Sequence, residues 1–301
     1  MFSTKQNFND TLERFLKEKE ILNGLSFHTI ECYKVSFKAF KTLYQGISNL
    51  NEFTKDKVER FLVHGKVEKQ WNNKTFINNR NNMSGFCTWC VKKGLLNSNF
   101  VKEIEKPRLE KSLPKALNKE DALKIIDTAF NLTFHYRFPR YRNRALFSLM
   151  IFAGLRLGEC LALKMSDIDI VNDMIYIQKG KGNRDRNIPI VPQLKIYLKT
   201  YLDERLRLQK SHNHFISSTN RDKPMTKGGV YKLINQIRKK TKLEWSNHKL
   251  RHTFATLMLE GGADIFSLKE LMGHSDIRTT SIYLSVTGQR LKQQMYKHPL
   301  N

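Results

Sequence analysis

Residues 248–283 read HKLRHTFATLMLEGGADIFSLKELMGHSDIRTTSIY, and they predict three short helices joined by polar turns. Apolar residues recur at helical spacing within each run, and glycines at the ends of the first two runs predict where those helices stop. The helix joints carry four reactive side chains, His248, Arg251, His274 and Tyr283. His248 and Arg251 are three residues apart and therefore share one helix face. Two imidazoles, a guanidinium and a phenol at neighbouring joints suit the handling of a phosphate ester.

The composition is strongly basic. The 301 residues hold 53 Lys and Arg against 28 Asp and Glu, a formal net charge of +25 at pH 7. A net charge of about 2–8 suffices for the solubility of a small domain, so this excess predicts a polyanionic partner. Nucleic acid is the first candidate and an anionic membrane surface the second. No apolar run approaches the roughly 20 residues that span a bilayer, and the N-terminus lacks a signal-peptide pattern. We therefore expect a cytoplasmic, nucleoid-associated protein.

Four cysteines are too few for a disulfide framework in a chain of this length. Cys87 and Cys90 form a lone CxxC within a helical pattern. That context favours two structural thiols over a redox or zinc site.

The chain is predicted to fold as two domains. Residues 1–105 contain four runs with helical apolar spacing, which is typical of a compact four-helix unit. Residues 106–115, KPRLEKSLPK, combine two prolines with charged residues and predict a solvated linker. Residues 116–301 alternate helices with short strands. The strands are predicted at 168–170, 174–178 and 186–190, with a further one at 214–217. We expect a mainly α chain whose second domain is α+β with a small three-stranded antiparallel sheet.

Two basic segments of the second domain are candidates for contact with nucleic acid. Residues 131–143 are predicted as a loop in which Arg137, Arg140 and Arg142 alternate with aromatic residues. A helix predicted at 231–242 carries a stripe of Lys and Arg. Solvated surface is an equal alternative for both segments.

Two further motifs precede the three-helix stretch. Arg156 follows an apolar run in AGLRLGECLAL, residues 153–163, where a guanidinium is costly unless it is paired. Glu159, three residues later, can orient it, and a structural Arg–Glu pair explains this motif as well as a functional site does. GKGNRDR, residues 180–186, forms the predicted hairpin turn between the last two strands.

Taken together, these motifs resemble the tyrosine recombinase, or phage integrase, family. The resemblance rests on the run from His248 to Arg251, the Gly273–His274 pair and Tyr283, in that order. The Arg156 motif resembles the first-arginine motif of the family, with Ala153 where Thr is common. The hairpin resembles its β-turn lysine motif. The resemblance implies that the N-terminal unit is a core-binding (SAM-like) domain and that residues 116–301 are the catalytic domain with a helical tail.

The resemblance also implies a catalytic set and a reaction. The set is Arg156, Lys181, His248, Arg251, His274 and Tyr283, with Lys179 as the fallback for the lysine. Tyr283 is implied to attack a DNA phosphate and form a 3′-phosphotyrosine while the two arginines hold the phosphate. The implied roles of the others are a general acid for the 5′-hydroxyl (Lys181), an aid to proton transfer (His248) and a hydrogen-bond donor to the phosphate (His274). Neither a metal ion nor ATP or another cofactor is required.

The implied partner is double-stranded DNA, bound by a homotetramer on two DNA sites, with residues 287–301 docking on a neighbouring protomer. Three alternatives differ from this interpretation in the outcome of the reaction or in the class of protein. A type IB topoisomerase-like nicking-closing enzyme would keep the same chemistry. A zinc protein could use His248, His252 and His274, although Lys249 stands where a zincin needs Glu. A DNA-binding regulator would explain the charge and leave the ordered reactive residues unexplained.

Overall fold

The computed structural model describes residues 6–109, 116–178, 185–219, 221–274 and 276–281. The chain divides into two compact units, Met1–Lys111 and Ser112–Asn301. Within the described ranges the first unit is helical, and the second combines helices with one three-stranded antiparallel sheet. The predicted mainly α fold, with a four-helix N-terminal unit and an α+β second unit, is confirmed. None of the helices in the described ranges is long and apolar enough to cross a bilayer.

Four α-helices build the first unit. They are α1 (Phe8–Ile21), α2 (Phe27–Leu43), α3 (Lys55–Val67) and α4 (Asn73–Lys92). Each begins directly after a residue whose side-chain oxygen accepts a hydrogen bond from a backbone N–H of the first turn, namely Asn7, Ser26, Thr54 and Asn72. Such a cap satisfies a donor that has no partner within the helix and stabilises the helix by about 1 kcal/mol.

Aromatic rings fill the core of the first unit. Phe86 of α4 lies among Phe15, Phe37 and Phe53, with ring centroids 5.1–5.3 Å apart in edge-to-face geometry. Cys90 is buried in the same core and its thiol is free. Burial, and then the neighbouring Cys87, raise the pKa of the Cys90 thiol to about 12. The thiol therefore stays protonated near pH 7, which agrees with a structural interpretation of the CxxC pair.

The second unit is organised around one buried helix. Its helices are α5 (Lys119–Asn131), α6 (Phe138–Phe152), α7 (Leu157–Ala162), α8 (Pro192–Arg207), α9 (Lys227–Thr241), α10 (Asn247–Glu260), α11 (Ile265–Met272) and α12 (Arg278–Ser281). Helix α6 packs against α5, α8 and α10. Its Phe147 meets Trp245 edge-on at 5.6 Å between ring centroids. Because α6 is covered on several sides, the second half of the helix, residues 145–152, is apolar almost all round rather than on one stripe.

The sheet has the strand order β1-β2-β3, and both pairings are antiparallel. The strands are β1 (Ile168–Asp169), β2 (Met174–Ile177) and β3 (Arg186–Pro189). Ile175 in the central strand pairs with Ile168 on one side and Ile188 on the other. Ile175 and Ile188 are buried in the core of the second unit, so one face of the sheet covers that core. The three predicted strands are thus present, each within a residue or two of its expected bounds.

The prediction of a loop at residues 131–143 is wrong for its second half. Helix α6 already begins at Phe138, with Pro139 in its first turn, where proline is tolerated. Arg142 is buried, and its guanidinium donates to the side chains of Asn143 at 2.8 Å and Thr219 at 2.7 Å. These contacts tie α6 to the segment before α9, so Arg142 is a packing residue and does not form part of an exposed basic loop.

The prediction of a strand at residues 214–217 is also wrong. His214 and Ser217 make only isolated bridges, to Lys164 and Pro224. Arg205 of α8 is buried and donates to the carbonyl oxygens of His214 and Phe215 at 2.8 and 3.0 Å. The side chain of Arg205 therefore satisfies backbone acceptors that a neighbouring strand would otherwise pair.

Candidate active site

The turn after α6 positions Arg156. Gly154 has φ +62, a conformation that favours glycine, and a Cβ there would lie 2.3 Å from Cδ1 of Phe254. Arg156 then precedes α7 in an extended conformation. The carboxylate of Glu159 accepts the Arg156 backbone N–H at 2.7 Å and its Nη1 at 2.8 Å. The predicted pairing of Arg156 with Glu159 is present, and the Arg156 side chain keeps 23% exposure.

The Glu159 carboxylate joins three guanidinium groups. Arg186, at the start of β3, donates to both carboxylate oxygens at 3.1 and 2.8 Å. Arg251 Nη1 lies 3.9 Å from the same carboxylate. Burial alone would raise the pKa of Glu159, but hydrogen bonds and charge from Arg186, followed by hydrogen bonds from Arg156, bring it to about 2. Glu159 is therefore ionised at neutral pH, and its one negative charge is shared by three positive ones.

Arg251 holds two separate turns together from the buried side of α10. Its side chain is 6% exposed. Its Nη1 donates to the carbonyl oxygen of Gly154 at 2.6 Å, and its Nη2 donates to the carbonyl oxygen of Met272. The turn before Arg156 and the end of α11 are thus fixed relative to each other by one guanidinium.

His274 follows α11 after a glycine that ends the helix. Gly273 has φ +60 and closes α11 in the left-handed conformation. His274 Nδ1 lies 2.9 Å from Oγ1 of the buried Thr280. Burial, and then the charges of Arg251, Arg156 and Arg186, lower the pKa of His274 to about 4. The imidazole is therefore neutral at pH 7.

His248 lies in the first turn of α10, which begins after the Ser246 cap. Its side chain is exposed, whereas His252, one turn later, is half-buried. Burial, and then the charges of His248 and Arg251, lower the pKa of His252. His248 thus lies at the exposed edge of the cluster, three residues before Arg251 on the same helix.

The two remaining predicted site residues, Lys181 and Tyr283, lie outside the described residues. Strand β2 ends at Ile177 and β3 begins at Arg186, so Lys181 belongs to the connection between them. Helix α12 ends at Ser281, two residues before Tyr283 in the sequence. Of the six predicted residues, the structure brings Arg156, Arg251 and His274 together, with His248 at the edge.

Arg186 was missed as a site residue from sequence. It stands in the quoted GKGNRDR string, but local spacing gives no hint that it reaches Glu159, 27 residues earlier. Thr280, six residues after His274 and within hydrogen-bond distance of its ring, was also missed. Across the described ranges, no group of three or more His, Cys, Asp or Glu side chains could hold a metal ion.

Helix α9 carries the basic stripe that was predicted from sequence. Its Lys232, Lys239 and Lys240 are exposed, whereas Val230, Leu233, Ile234 and Ile237 are buried. Arg238 lies between the two faces and pairs with Glu244. Lysines therefore occupy the solvent side of α9. This agrees both with contact to nucleic acid and with a solvated surface, the two interpretations of this stripe.

Comparisons of the sequence find one family and a set of relatives. The phage integrase family matches residues 115–290. The tyrosine recombinase XerD of Listeria monocytogenes serotype 4b is 32% identical over 303 residues, which cover 97% of this chain and 99% of the relative. The tyrosine recombinase XerA of Pyrococcus horikoshii is 34% identical over 201 residues, 66% of this chain and 67% of the relative.

Solved structures show the same fold. The crystal structure of XerA recombinase is similar with a TM-score of 0.54 and 25% identity, over 97% of this chain and 98% of the other. The pre-cleavage complex of the XerH site-specific recombinase bound to difH substrate is similar with a TM-score of 0.71 and 24% identity. That match covers 96% of this chain and 84% of the other.

Proposed function

The chain belongs to the phage integrase family, and from this premise we propose that it is a site-specific DNA recombinase working through a 3′-phosphotyrosine on Tyr283. Its substrate is double-stranded DNA, and neither a metal ion nor ATP takes part. The relatives named above are tyrosine recombinases, and one of the similar structures is a recombinase bound to its substrate.

The meeting of Arg156 and Arg251 at one carboxylate supports this function most directly. Arg156 lies just before α7 and Arg251 lies within α10, far apart in sequence, and both approach Glu159. Together with Arg186, three guanidinium groups share that carboxylate, an excess of positive charge among the described groups of the cluster. A phosphodiester is an anion of the right shape to be held by two such groups, since a guanidinium matches phosphate oxygens in bidentate geometry.

The proposed cleavage step is a displacement at phosphorus. The Tyr283 oxygen forms a bond to the scissile phosphorus while the bond from phosphorus to the 5′-oxygen breaks. The phenolic proton leaves with the help of His248, and the departing 5′-oxygen takes a proton from Lys181. Arg156 and Arg251 hold the two non-bridging oxygens and stabilise the charge that builds up in the transition state. Positive charge near the phenol also favours its deprotonated, nucleophilic form.

His274 fits the role of a neutral hydrogen-bond donor. Its lowered pKa keeps the imidazole uncharged at pH 7. In this proposal Thr280 donates its hydroxyl proton to Nδ1, which leaves the proton of the ring on Nε2 for a phosphate oxygen. A neutral donor adds a hydrogen bond to the phosphate without placing a further positive charge next to the two arginines.

Rejoining reverses the first step with a different nucleophile. The 5′-hydroxyl of a partner strand attacks the phosphotyrosine, the bond from Tyr283 to phosphorus breaks, and the phenol regains its proton. The number of phosphodiester bonds is conserved, so no external energy source is needed. The same residues serve both directions, because each proton transfer runs backwards.

Covalent trapping tests this function. Full-length protein is incubated with randomised duplex DNA that contains a nick, so that a short cleaved fragment diffuses away and resealing stops. We expect a strand labelled at its 5′ end to remain bound to the protein after denaturation, with and without EDTA, and a strand labelled at its 3′ end to be released. Tyr283→Phe is expected to abolish the adduct, and Tyr176→Phe, a change on β2, to preserve it. A 5′-labelled strand that never migrates with the protein would sink the proposal.

Assembly and DNA contact are further parts of this proposal. We propose a homotetramer on two DNA sites, with residues 287–301, which lie outside the described residues, docking on a neighbouring protomer. Residues 1–105 and the exposed lysines of α9 are proposed to contact the DNA. Mass photometry of the complex with and without residues 287–301 measures assembly. Exchange of strands between two labelled duplexes separates a recombinase from a nicking-closing enzyme, which would relax a supercoiled plasmid without exchange.

A further inference from the structure

Arg186 lies where three segments of the proposed site meet. It is the first residue of β3, and its backbone pairs with Ile177, the last residue of β2. This pair closes the described ladder next to the connection that carries Lys181. The Arg186 side chain is 7% exposed, so it points inward from the ladder to the cluster around Glu159.

The Arg186 side chain makes three described hydrogen bonds. Nη1 and Nη2 donate to the two oxygens of Glu159 at 3.1 and 2.8 Å, and Nε donates to the carbonyl oxygen of Leu271 at 2.9 Å. Leu271 is near the C-terminal end of α11, three residues before His274. The guanidinium also lies under Gly273, where a Cβ would come within 3.1 Å of Arg186 Cδ and Nη1.

We propose that Arg186 is a positioning residue for the recombination reaction, holding the start of β3, the Glu159–Arg156 pair and the His274 turn in one arrangement. This inference rests on the proposed function. Arg186 itself is not assigned a contact with DNA: it acts through the carboxylate and the carbonyl that it binds. Its contacts fix the start of β3, the start of α7 and the end of α11 relative to one another.

The chemistry of the contacts requires arginine rather than lysine. The two Nη groups and Nε of a guanidinium form a planar fork that can bind a carboxylate with two atoms and a carbonyl with the third. A lysine ammonium keeps the charge but carries all of its donors on one nitrogen atom. It can reach Glu159 or Leu271, but it cannot hold the two at the spacing that the guanidinium sets. Positioning within about 0.5 Å is what such a reaction demands of its groups.

Charge and position can be separated by two substitutions. Arg186→Lys keeps the positive charge and removes the fork, and Arg186→Gln removes the charge and keeps a hydrogen-bond donor. The matched control is Arg207→Lys on α8, since Arg207 also pairs with a buried carboxylate, that of Glu204, at 2.9 Å. All are made in the full-length chain, and their unfolding midpoints are measured first.

The probe is a nicked duplex with a sequence recovered by covalent trapping with the wild type. We measure the rate of adduct formation at saturating protein and, separately, the Kd for the same duplex. We expect both Arg186 variants to slow adduct formation at least tenfold with Kd within twofold of wild type, and the Arg207 variant to match the wild type. A loss of rate without a loss of affinity is the mark of misplaced reacting groups.

A second readout does not depend on activity. The charge of Arg186 contributes to the low pKa of His274, behind burial and the charges of Arg251 and Arg156. In NMR titrations of labelled histidine we expect the His274 pKa to rise in Arg186→Gln and to stay lower in Arg186→Lys, although adduct formation is slow in both. A His274 pKa that stays low in Arg186→Lys while adduct formation is slow would show that the position of the groups, and not the charge of residue 186, limits the reaction.

Each outcome decides the matter. Failure of the wild type to form any adduct would remove the proposed function, and this inference with it. A wild type that reacts, together with an Arg186→Lys variant that reacts equally fast, would overturn this inference and leave the function intact. Collapse of the fold in both Arg186 variants would show that the residue holds the unit together rather than placing its reacting groups, and would overturn it too.

Discussion

Gly154 lies directly against the ring of Phe254, and a Cβ at Gly154 would meet Cδ1 of that ring at 2.3 Å. This approach brings α10 close enough for Arg251 to bind the Gly154 carbonyl at 2.6 Å. The absence of a side chain at residue 154 is therefore a condition for the contact between the Arg156 turn and Arg251.

Gly154→Ala is expected to destabilise the protein and to stop adduct formation. The methyl group must displace Phe254, and alanine is strained at φ +62, so we expect a loss of about 3–5 kcal/mol in the free energy of unfolding. Gly262→Ala is the control, because Gly262 has φ +92 but nothing within 4 Å of its Cβ position. That variant should lose only about 1–2 kcal/mol, the cost of backbone strain. Equal losses in urea unfolding would show that contact with Phe254 is unimportant.

Glu159→Gln is expected to lower the free energy of unfolding at pH 7 by about 3–5 kcal/mol, because it removes one partner of a buried charge cluster. The loss should depend on pH. The pKa of Glu159 is about 2 in the folded protein against an ordinary value of 4.5. Its carboxylate therefore contributes stability that is fully present above pH 4.5 and is lost as the pH falls toward 2.

Urea unfolding of wild type and Glu159→Gln across that pH range checks the assignment. The difference between the two proteins should shrink as the pH falls from 4.5 toward 2. A difference that stays constant through this window would mean that the charge of Glu159 is not what the three arginines stabilise.

His274 is expected to remain neutral to unusually low pH. Its folded-state pKa is about 4 against an ordinary 6.5, so between these values the unfolded chain binds a proton that the folded chain does not. His274 therefore costs stability progressively as the pH falls from 6.5 toward 4, and His274→Gln should flatten that part of the stability profile. NMR titration of the ring measures the pKa directly. A midpoint near 6.5 in the native protein would contradict the charge cluster around it.

The exposed lysines of α9 are expected to contribute to the salt dependence of DNA binding. If Lys239 and Lys240 each neutralise a phosphate, the double change to Gln should reduce the slope of log K against log salt by about 2. Lys195→Gln on α8 is the control, since Lys195 pairs with Asp173 at 2.6 Å. Binding is measured by fluorescence anisotropy on a randomised duplex. An unchanged slope would assign this face of α9 to solvent.

Local patterns predicted the parts of the fold that depend on short sequence distances. The four helices of the first unit, the three strands and the pairing of Arg156 with Glu159 all follow from spacing within a few residues. The start of α6 could not be predicted from such spacing, because Arg142 and Asn143 are polar residues at buried positions and break the apolar period. Their burial depends on partners beyond the helix, such as Thr219, which periodicity cannot indicate.

The candidate site likewise combines residues that sequence motifs could identify with contacts that only the tertiary fold creates. The resemblance selected Arg156, Arg251 and His274; the fold brings the two arginines to Glu159, and the charges of both arginines help to lower the pKa of His274. The contact of Arg186 with Glu159 joins a strand to a helix, so it depends on the tertiary fold alone. The roles of Lys181 and Tyr283 stay predictions that rest on motif and order.

The bond from Arg251 to the Gly154 carbonyl, 97 residues earlier, also has a meaning for synthesis of the protein. A growing chain that has left the ribosome only as far as α9 already contains Arg156 and Glu159, yet it lacks Arg251 and His274. Such a fragment has only one of the two arginines proposed to hold the phosphate, and it lacks Tyr283, the proposed nucleophile. On the proposed function, a nascent polypeptide therefore becomes able to cleave DNA only after residue 283 has emerged.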